Sequence, residues 1–246
     1  MGHEAIRIDG ACRKIVVRAM MPLLKSHTIR KLFPREIVQF LFHKKGYTAF
    51  EPAPDLMDDT AISNDPIRYA SVIMAIHRLQ TDKIPGAIAE LGVYKGVCSH
   101  HIHHAAPERV FFLFDNFRGF PGKEGHKDRR FQDATVEGVR TMLGNSDKLR
   151  FCEGIFPETA KGLEDEKFAL VMLDADKFEV TLAGLKFFWP RLTPGGYLFA
   201  HDYGSSESDW GVSRAFKSYF KENLLSVIDI PDKGGSAIIR KTQQGR

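Results

Sequence analysis

Acidic side chains stand at the points where short apolar runs of this chain stop, and that placement is the first sign of chemistry. Leu173-Asp174-Ala175-Asp176 follows one such run, and His201-Asp202-Tyr203-Gly204 follows another. If the two runs are neighbouring strands they lie about 4.8 Å apart, which brings Asp174 and Asp202 together at the sheet edge. Two adjacent carboxylates are costly to keep ionised unless a cation sits between them. A divalent metal held between Asp174 and Asp202 would resolve that repulsion. It would also lower the pKa of a substrate hydroxyl and orient it. Asp176, two residues further on, is then the natural proton acceptor, while His201 is an alternative base for a metal-free reaction. The plain alternative makes one aspartate a helix cap and the other a solvated turn residue.

A second group of residues follows the run Ala87 to Leu91. In Glu90-Leu91-Gly92-Val93-Tyr94-Lys95-Gly96, Gly92 permits a tight strand-to-helix turn and Gly96 permits close helix packing. The spacing is not the Gly-x-Gly-x-x-Gly of a pyrophosphate site. A pyrophosphate needs bare amides and positive potential, and Glu90 would repel it. S-adenosylmethionine has no phosphate and carries a sulfonium and an ammonium, so an acid in this loop suits it. Asp115 ends the next run, 25 residues after Glu90, where a carboxylate can accept both ribose hydroxyls. NAD enzymes use the same device, so Asp115 alone does not discriminate. Glu153-Gly154 closes a third run and is placed to flank an adenine. Tyr94 and Asp174 border the same expected cofactor site.

These residues need a scaffold that gathers strand ends, and the hydrophobic pattern supplies one. Apolar strands are expected at Ala87–Leu91, Arg109–Phe114, Leu149–Cys152, Phe168–Leu173 and Tyr197–Ala200. They alternate with helices, among them one after Gly92 through His104 and one over Phe178–Trp189. That alternation predicts a parallel, doubly wound α/β sheet. Leu225–Ile230 and Ser236–Arg240 are joined by only Pro231-Asp232-Lys233-Gly234-Gly235, too short for a crossover helix, so they form an antiparallel C-terminal hairpin. The first 80 residues read as helical, with apolar stripes through Ile15 to Leu24 and Ile37 to Leu41 and a third helix opening at Asn64-Asp65-Pro66. The expected division is a helical segment or lid over residues 1–82 and a cofactor-binding domain over residues 83–246.

Composition narrows the function classes. The chain has 246 residues, 43% of them hydrophobic and 27% charged, as in ordinary globular proteins. Cys12, Cys98 and Cys152 suggest no disulfide framework, which points to a reducing cytoplasm. Arg13, Lys14 and Arg18 interrupt every candidate signal-peptide core, and no apolar run approaches bilayer-spanning length. Residues 1–45 hold ten Lys or Arg against three Asp or Glu, a net of +7, so with a total of +4 the remainder is −3. The body therefore makes no electrostatic case for nucleic acid. The basic arm reads as the solvated faces of amphipathic helices.

The loops together resemble the macrocin O-methyltransferase family, bacterial enzymes that methylate sugar hydroxyls of antibiotics. Glu90 to Gly96, Asp115-Asn116-Phe117-Arg118-Gly119-Phe120-Pro121, Gly154-Ile155-Phe156, Leu173-Asp174-Ala175-Asp176 and Asp202-Tyr203-Gly204 carry the resemblance, which covers roughly residues 60 to 240. It implies a class I methyltransferase fold with a helical N-terminal lid, usually as an oligomer. It implies a small-molecule acceptor and a magnesium ion on Asp174 and Asp202, with Asp176 as base and with Glu90 and Asp115 on the cofactor. The sequence departs from the pattern twice. His201 stands where the family has the first Asp of a pair, which shifts the preference toward a transition metal or weakens the site. Val97-Cys98 replaces a Gly-Ser after Gly96, so a hydroxyl contact to the cofactor carboxylate falls to Ser99.

Two rivals remain. An NAD(P)-dependent oxidoreductase would need an anion-binding glycine loop and a Tyr-x-x-x-Lys pair that the strand ends lack. A non-catalytic module that kept the fold is favoured only by His201. His100 and His104 share a helix face at metal-binding spacing, but no acid lies nearby in sequence. Residues 116–144, with Lys123, His126, Arg129 and Arg130, are long enough to contain a substrate-covering loop.

Overall fold

The computed structural model describes residues 65–119, 131–206, 209–221 and 227–242. The chain divides into two units, Met1–Glu51 and Pro52–Arg246, and every described residue belongs to the second. The two expected helices before residue 45 and the cations of 123–130 lie outside the described residues.

Helix α1, Pro66–Thr81, starts where its sequence dictates. Pro66 takes a first-turn position, where its missing N–H leaves nothing unpaired, and Asp65 caps the helix by accepting the Arg68 N–H at 3.4 Å. Next come β1 (Ala87–Leu91), α2 (Val97–Ala105), β2 (Phe111–Asp115), α3 (Val136–Leu143) and β3 (Leu149–Glu153). The second half contributes β4 (Phe168–Leu173), α4 (Phe178–Arg191), β5 (Leu192–Ala200), α5 (Gly211–Phe220), β6 (Ile228–Ile230) and β7 (Ser236–Arg240).

The sheet order is β3-β2-β1-β4-β5-β7-β6. β1 to β5 are parallel, and β7 runs antiparallel to both β5 and β6. The winding therefore reverses between β1 and β4. Ligands of open α/β sheets bind at that switch point, outside the carboxyl ends of the strands. Glu90, Asp115, Asp174 and His201 all lie at those ends.

Both faces of the sheet are buried, as parallel strands require. β4 shows this most plainly, all six of its residues being buried. Ala169, Leu170 and Met172 join one core with Ile76 and Leu79 of α1 and Ile102 of α2. Phe168, Val171 and Leu173 join the other with Phe188 of α4 and Phe216 of α5.

The structure departs from the sequence expectations at three elements. β5 begins at Leu192 rather than Tyr197: Leu192 pairs with Phe168 and Tyr197 with Leu170, so the Pro-Gly turn is a bulge within the strand. Helix α3 was not anticipated; it takes up the end of residues 116–144, the stretch long enough to contain a covering loop. Helix α5 was not anticipated, although its buried Val212, Ala215, Phe216 and Phe220 follow helical spacing. Among the described residues no helix is long and apolar enough to cross a membrane.

Candidate active site

At the switch point a cavity of about 480 Å³ opens between the ends of β1, β2, β4 and β5. Its wall begins with the turn after β1. Gly92 has φ +93°, and a Cβ there would run into the Asp174 carbonyl, so only glycine lets the loops after β1 and β4 approach this closely. Gly96 opens α2 at φ +81°, where a Cβ would meet Val139 of α3 at 2.8 Å. Its role is helix packing, and it is not part of the cavity wall.

Glu90 is 1% exposed and faces the cavity. Its Oε2 accepts a hydrogen bond from the Ser99 hydroxyl, while Oε1 is buried with no partner stronger than the neighbouring Cys98 thiol, a weak donor. Burial pushes its carboxyl up to about 8, the Ser99 hydrogen bond works against that shift, and the charge of Asp174 adds to it. A buried carboxyl in this condition is well matched to a cationic ligand group. Ser99 itself is fully buried and gives its hydroxyl to Glu90, so it acts behind the cavity wall.

Asp115 lies in the wall and organises it. Its Oδ2 accepts the Val93 and Tyr94 N–H groups at 2.8 Å each, and its Oδ1 accepts the Phe117 N–H at 2.7 Å. The carboxylate thus fixes the loop after β1 and the turn after β2 together, leaving little acceptor capacity over. Tyr94, at φ +52°, lines the cavity, donates its hydroxyl to Asp133 at 2.8 Å and meets the Phe131 ring edge-on. Gly154 and the exposed Ile155 form the far wall, whereas Glu153 points to solvent outside it.

The second half of the site lies beyond β4 and β5. Parallel pairing of Leu173 with Ala200 places the following residues side by side. One ligand atom each from Asp174, His201 and Asp202 falls within 4.8 Å of the others, the one such group among the described residues. Asp176, at φ +55°, also lines the cavity and shares a hydrogen bond with Asp202. Burial and that contact raise the Asp202 carboxyl to about 6. The His201 ring accepts the Asp202 N–H on Nδ1 at 2.7 Å, so in the neutral ring Nε2 carries the proton and donates, and metal ligation by the ring would have to displace that bond or that proton. Two hard carboxylates and an imidazole within this span fit a divalent cation by the chemistry of the donors. His100 and His104 stack at 6.3 Å and recruit no third ligand of this kind.

Sequence reasoning missed two participants. Arg68, from the first turn of α1, reaches Asp174 with Nη1 at 2.9 Å from Oδ2, while its Nε lies 3.3 Å from Asp65. Its side chain is only 13% exposed and lines the cavity. Gly234, in the turn between β6 and β7, sits so close that a Cβ would collide with the Asp202 carboxylate. The one signal for Arg68 was its place three residues after the Asp65 cap; nothing local pointed to Gly234.

Comparison with known proteins places this arrangement. Over 156 residues the chain is 28% identical to the 8-demethyl-8-(2,3-dimethoxy-alpha-L-rhamnosyl)-tetracenomycin-C 4'-O-methyltransferase of Streptomyces olivaceus, covering 55% of this chain and 60% of that one. Over 144 residues it is 28% identical to the mycinamicin III 3''-O-methyltransferase of Micromonospora griseorubida, covering 50% and 57%. The chain thus spans well under two thirds of these curated relatives. Among solved structures, the O-methyltransferase NovP superposes with a TM-score of 0.61 at 18% identity, covering 94% of this chain and all of that one, which shows a shared fold. The macrocin-O-methyltransferase (TylF) family matches residues 60–230, the span that contains every strand-end acid of the cavity. The chain belongs to that family.

Proposed function

We propose that this protein transfers the methyl group of S-adenosylmethionine to a hydroxyl of a small molecule, a sugar or glycosylated natural product, with help from a divalent metal. The observation that carries the reading is the pairing of two acidic centres in one cavity. Glu90 offers a buried, under-partnered carboxyl to a cationic cofactor, and Asp174, Asp176, His201 and Asp202 gather opposite it. The relatives' names point to sugar and antibiotic hydroxyls, and the family match supports the same chemistry.

When bound, S-adenosylmethionine supplies a methyl group made electrophilic by its sulfonium. Glu90 would face the positive end of the cofactor, and Gly92 would let the backbone approach it. Tyr94, Ile155 and Gly154 provide the flat, partly apolar wall that an adenine needs. On the acceptor side Asp176 would take the hydroxyl proton as the substrate oxygen forms its bond to the methyl carbon and the carbon–sulfur bond breaks. Asp202 shares a hydrogen bond with the same carboxyl while one of the two is protonated, as Asp176 would be after it takes the proton. A divalent ion on Asp174, Asp202 and His201 would act as a Lewis acid, lowering the pKa of the hydroxyl. Alignment of the two reactants in one cavity would contribute much of the rate.

The test is a panel of glycosylated natural products incubated with methyl-labelled S-adenosylmethionine and scored for label in an O-methyl ether. The reading expects at least one labelled sugar product that Asp176→Asn fails to make. Label on nitrogen or carbon, or equal product from Asp176→Asn, would overturn it.

A further inference from the structure

The acidic cluster already contains a cation of its own. Asp174 accepts from Arg68 at 2.9 Å, and a guanidinium never loses its charge in water. Asp65 Oδ2 lies 3.3 Å from the Arg68 Nε as an ion-pair contact without hydrogen-bond geometry, and Asp65 in turn caps α1 through Oδ1 and lies 3.5 Å from the Lys233 nitrogen in the β6–β7 turn. The side chains of Arg68 and Asp174 are 13% and 21% exposed, so water screens the pair only in part. The titratable and charged groups around Asp174 are Arg68 and Tyr69 from α1, Glu90 from β1, Cys98 from α2, Asp176 beyond β4, and His201 and Asp202 beyond β5. Arg68 is the permanent positive charge in that set.

We propose that Arg68 is the resident counter-cation of this cluster: it aims the Asp174 carboxylate and holds down the affinity for a divalent metal at Asp174, His201 and Asp202. The inference rests on the cluster being able to take a metal at all, as in the proposed function. Its physical basis is simple repulsion. A dication sharing Asp174 with a buried guanidinium meets a like charge across one carboxylate, and partial screening leaves that repulsion felt. The same contact fixes Oδ2 of Asp174 and leaves Oδ1 without a bond to Arg68, which is the work of a positioning residue. The cluster thus stays assembled whether or not a metal is present, and occupancy follows the metal concentration.

The experiment is a Mn2+ titration read by electron paramagnetic resonance and calorimetry on the full chain. It compares the unmodified protein with Arg68→Gln, Arg68→Met and Arg68→Lys. S-adenosylmethionine binding is measured on each as an independent check of the cofactor half. Removal of the charge is expected to tighten Mn2+ binding roughly tenfold or more, while Arg68→Lys stays near the unmodified value. Weaker or unchanged Mn2+ binding in the Gln and Met variants overturns the proposal, as does absence of Mn2+ binding in all four proteins. In either case, retained S-adenosylmethionine binding leaves the methyl-transfer reading standing. Should Gln and Met both fail to fold, a folded Arg68→Lys with unmodified Mn2+ affinity supports the counter-cation role. Failure of Lys as well overturns it in favour of a purely structural fork.

Discussion

Glu90 shows how a single side chain can cost stability and serve binding at once. With one oxygen tied to Ser99 and the other under-partnered, its carboxyl is held neutral up to about 8, and a cationic ligand would favour its ionised form. Cofactor binding should therefore release protons at neutral pH, read as a dependence of the binding heat on buffer ionisation enthalpy, and should tighten as pH rises toward 8. Glu90→Gln should remove both effects and weaken S-adenosylmethionine binding by roughly ten- to a hundredfold, since a charge-assisted contact is lost. Asp176→Asn should separate from it cleanly: turnover falls about 10²- to 10⁴-fold while cofactor affinity barely moves. The acids were legible in the sequence because they stand where apolar runs end, a position that maps to the sheet edge in any parallel fold. Arg68 was not legible, because its partner Asp174 lies 106 residues away and only the packing of α1 brings them together. Asp115 was legible in place but not in role: its backbone partners Val93, Tyr94 and Phe117 belong to turns whose geometry no residue pattern specifies.

Among the elements, the strands were the most readable. β1, β4 and β7 fall on the expected residues, because a continuous apolar run bounded by turn residues leaves little freedom. β5 was read short because Pro194 and Gly195 signal a turn, and only the pairing of Leu192 with Phe168 reveals a bulge inside a strand. α5 went unread because the segment before it is rich in turn-type Gly, Ser and Asp, and its start depends on a close fit. A Cβ on Gly211 would lie 2.9 Å from both the Asp176 carbonyl and the Phe178 nitrogen. The β6–β7 turn makes a comparable demand at Gly234, φ +87°. Gly234→Ala should shift that turn off Asp202, cost about 1–3 kcal/mol in urea unfolding, and lower turnover more than it lowers cofactor affinity. Deeper in the sheet, Phe188 is fully buried against Phe114, Phe156 and Phe168. Phe188→Ala should cost about 3–5 kcal/mol. It should also loosen cofactor binding, because Phe114 and Phe156 form part of the cavity wall.

For the molecule as a whole, the decisive feature is the reversal of winding between β1 and β4, which opens one crevice and aims the strand-end acids into it. The alternation of strands and helices disclosed that architecture, because a parallel sheet with short loops has few other solutions. Global stability should carry the mark of Glu90. Its folded value of about 8 lies above its ordinary 4.5, so between those values the unfolded chain gives up this proton while the folded chain keeps it. That group's contribution therefore falls as pH rises from 4.5 to about 8, and Glu90→Gln should raise the melting temperature most at the alkaline end, in the absence of cofactor. The central claim is that the crevice accepts a sulfonium cofactor rather than a phosphate-bearing one. Calorimetric titration of the protein with S-adenosylmethionine, and separately with NAD+, tests it most directly. The account predicts saturable one-to-one binding of S-adenosylmethionine, abolished or severely weakened by Glu90→Gln, and no binding of NAD+. Binding of NAD+ with none of S-adenosylmethionine, or S-adenosylmethionine binding indifferent to Glu90→Gln, would contradict it.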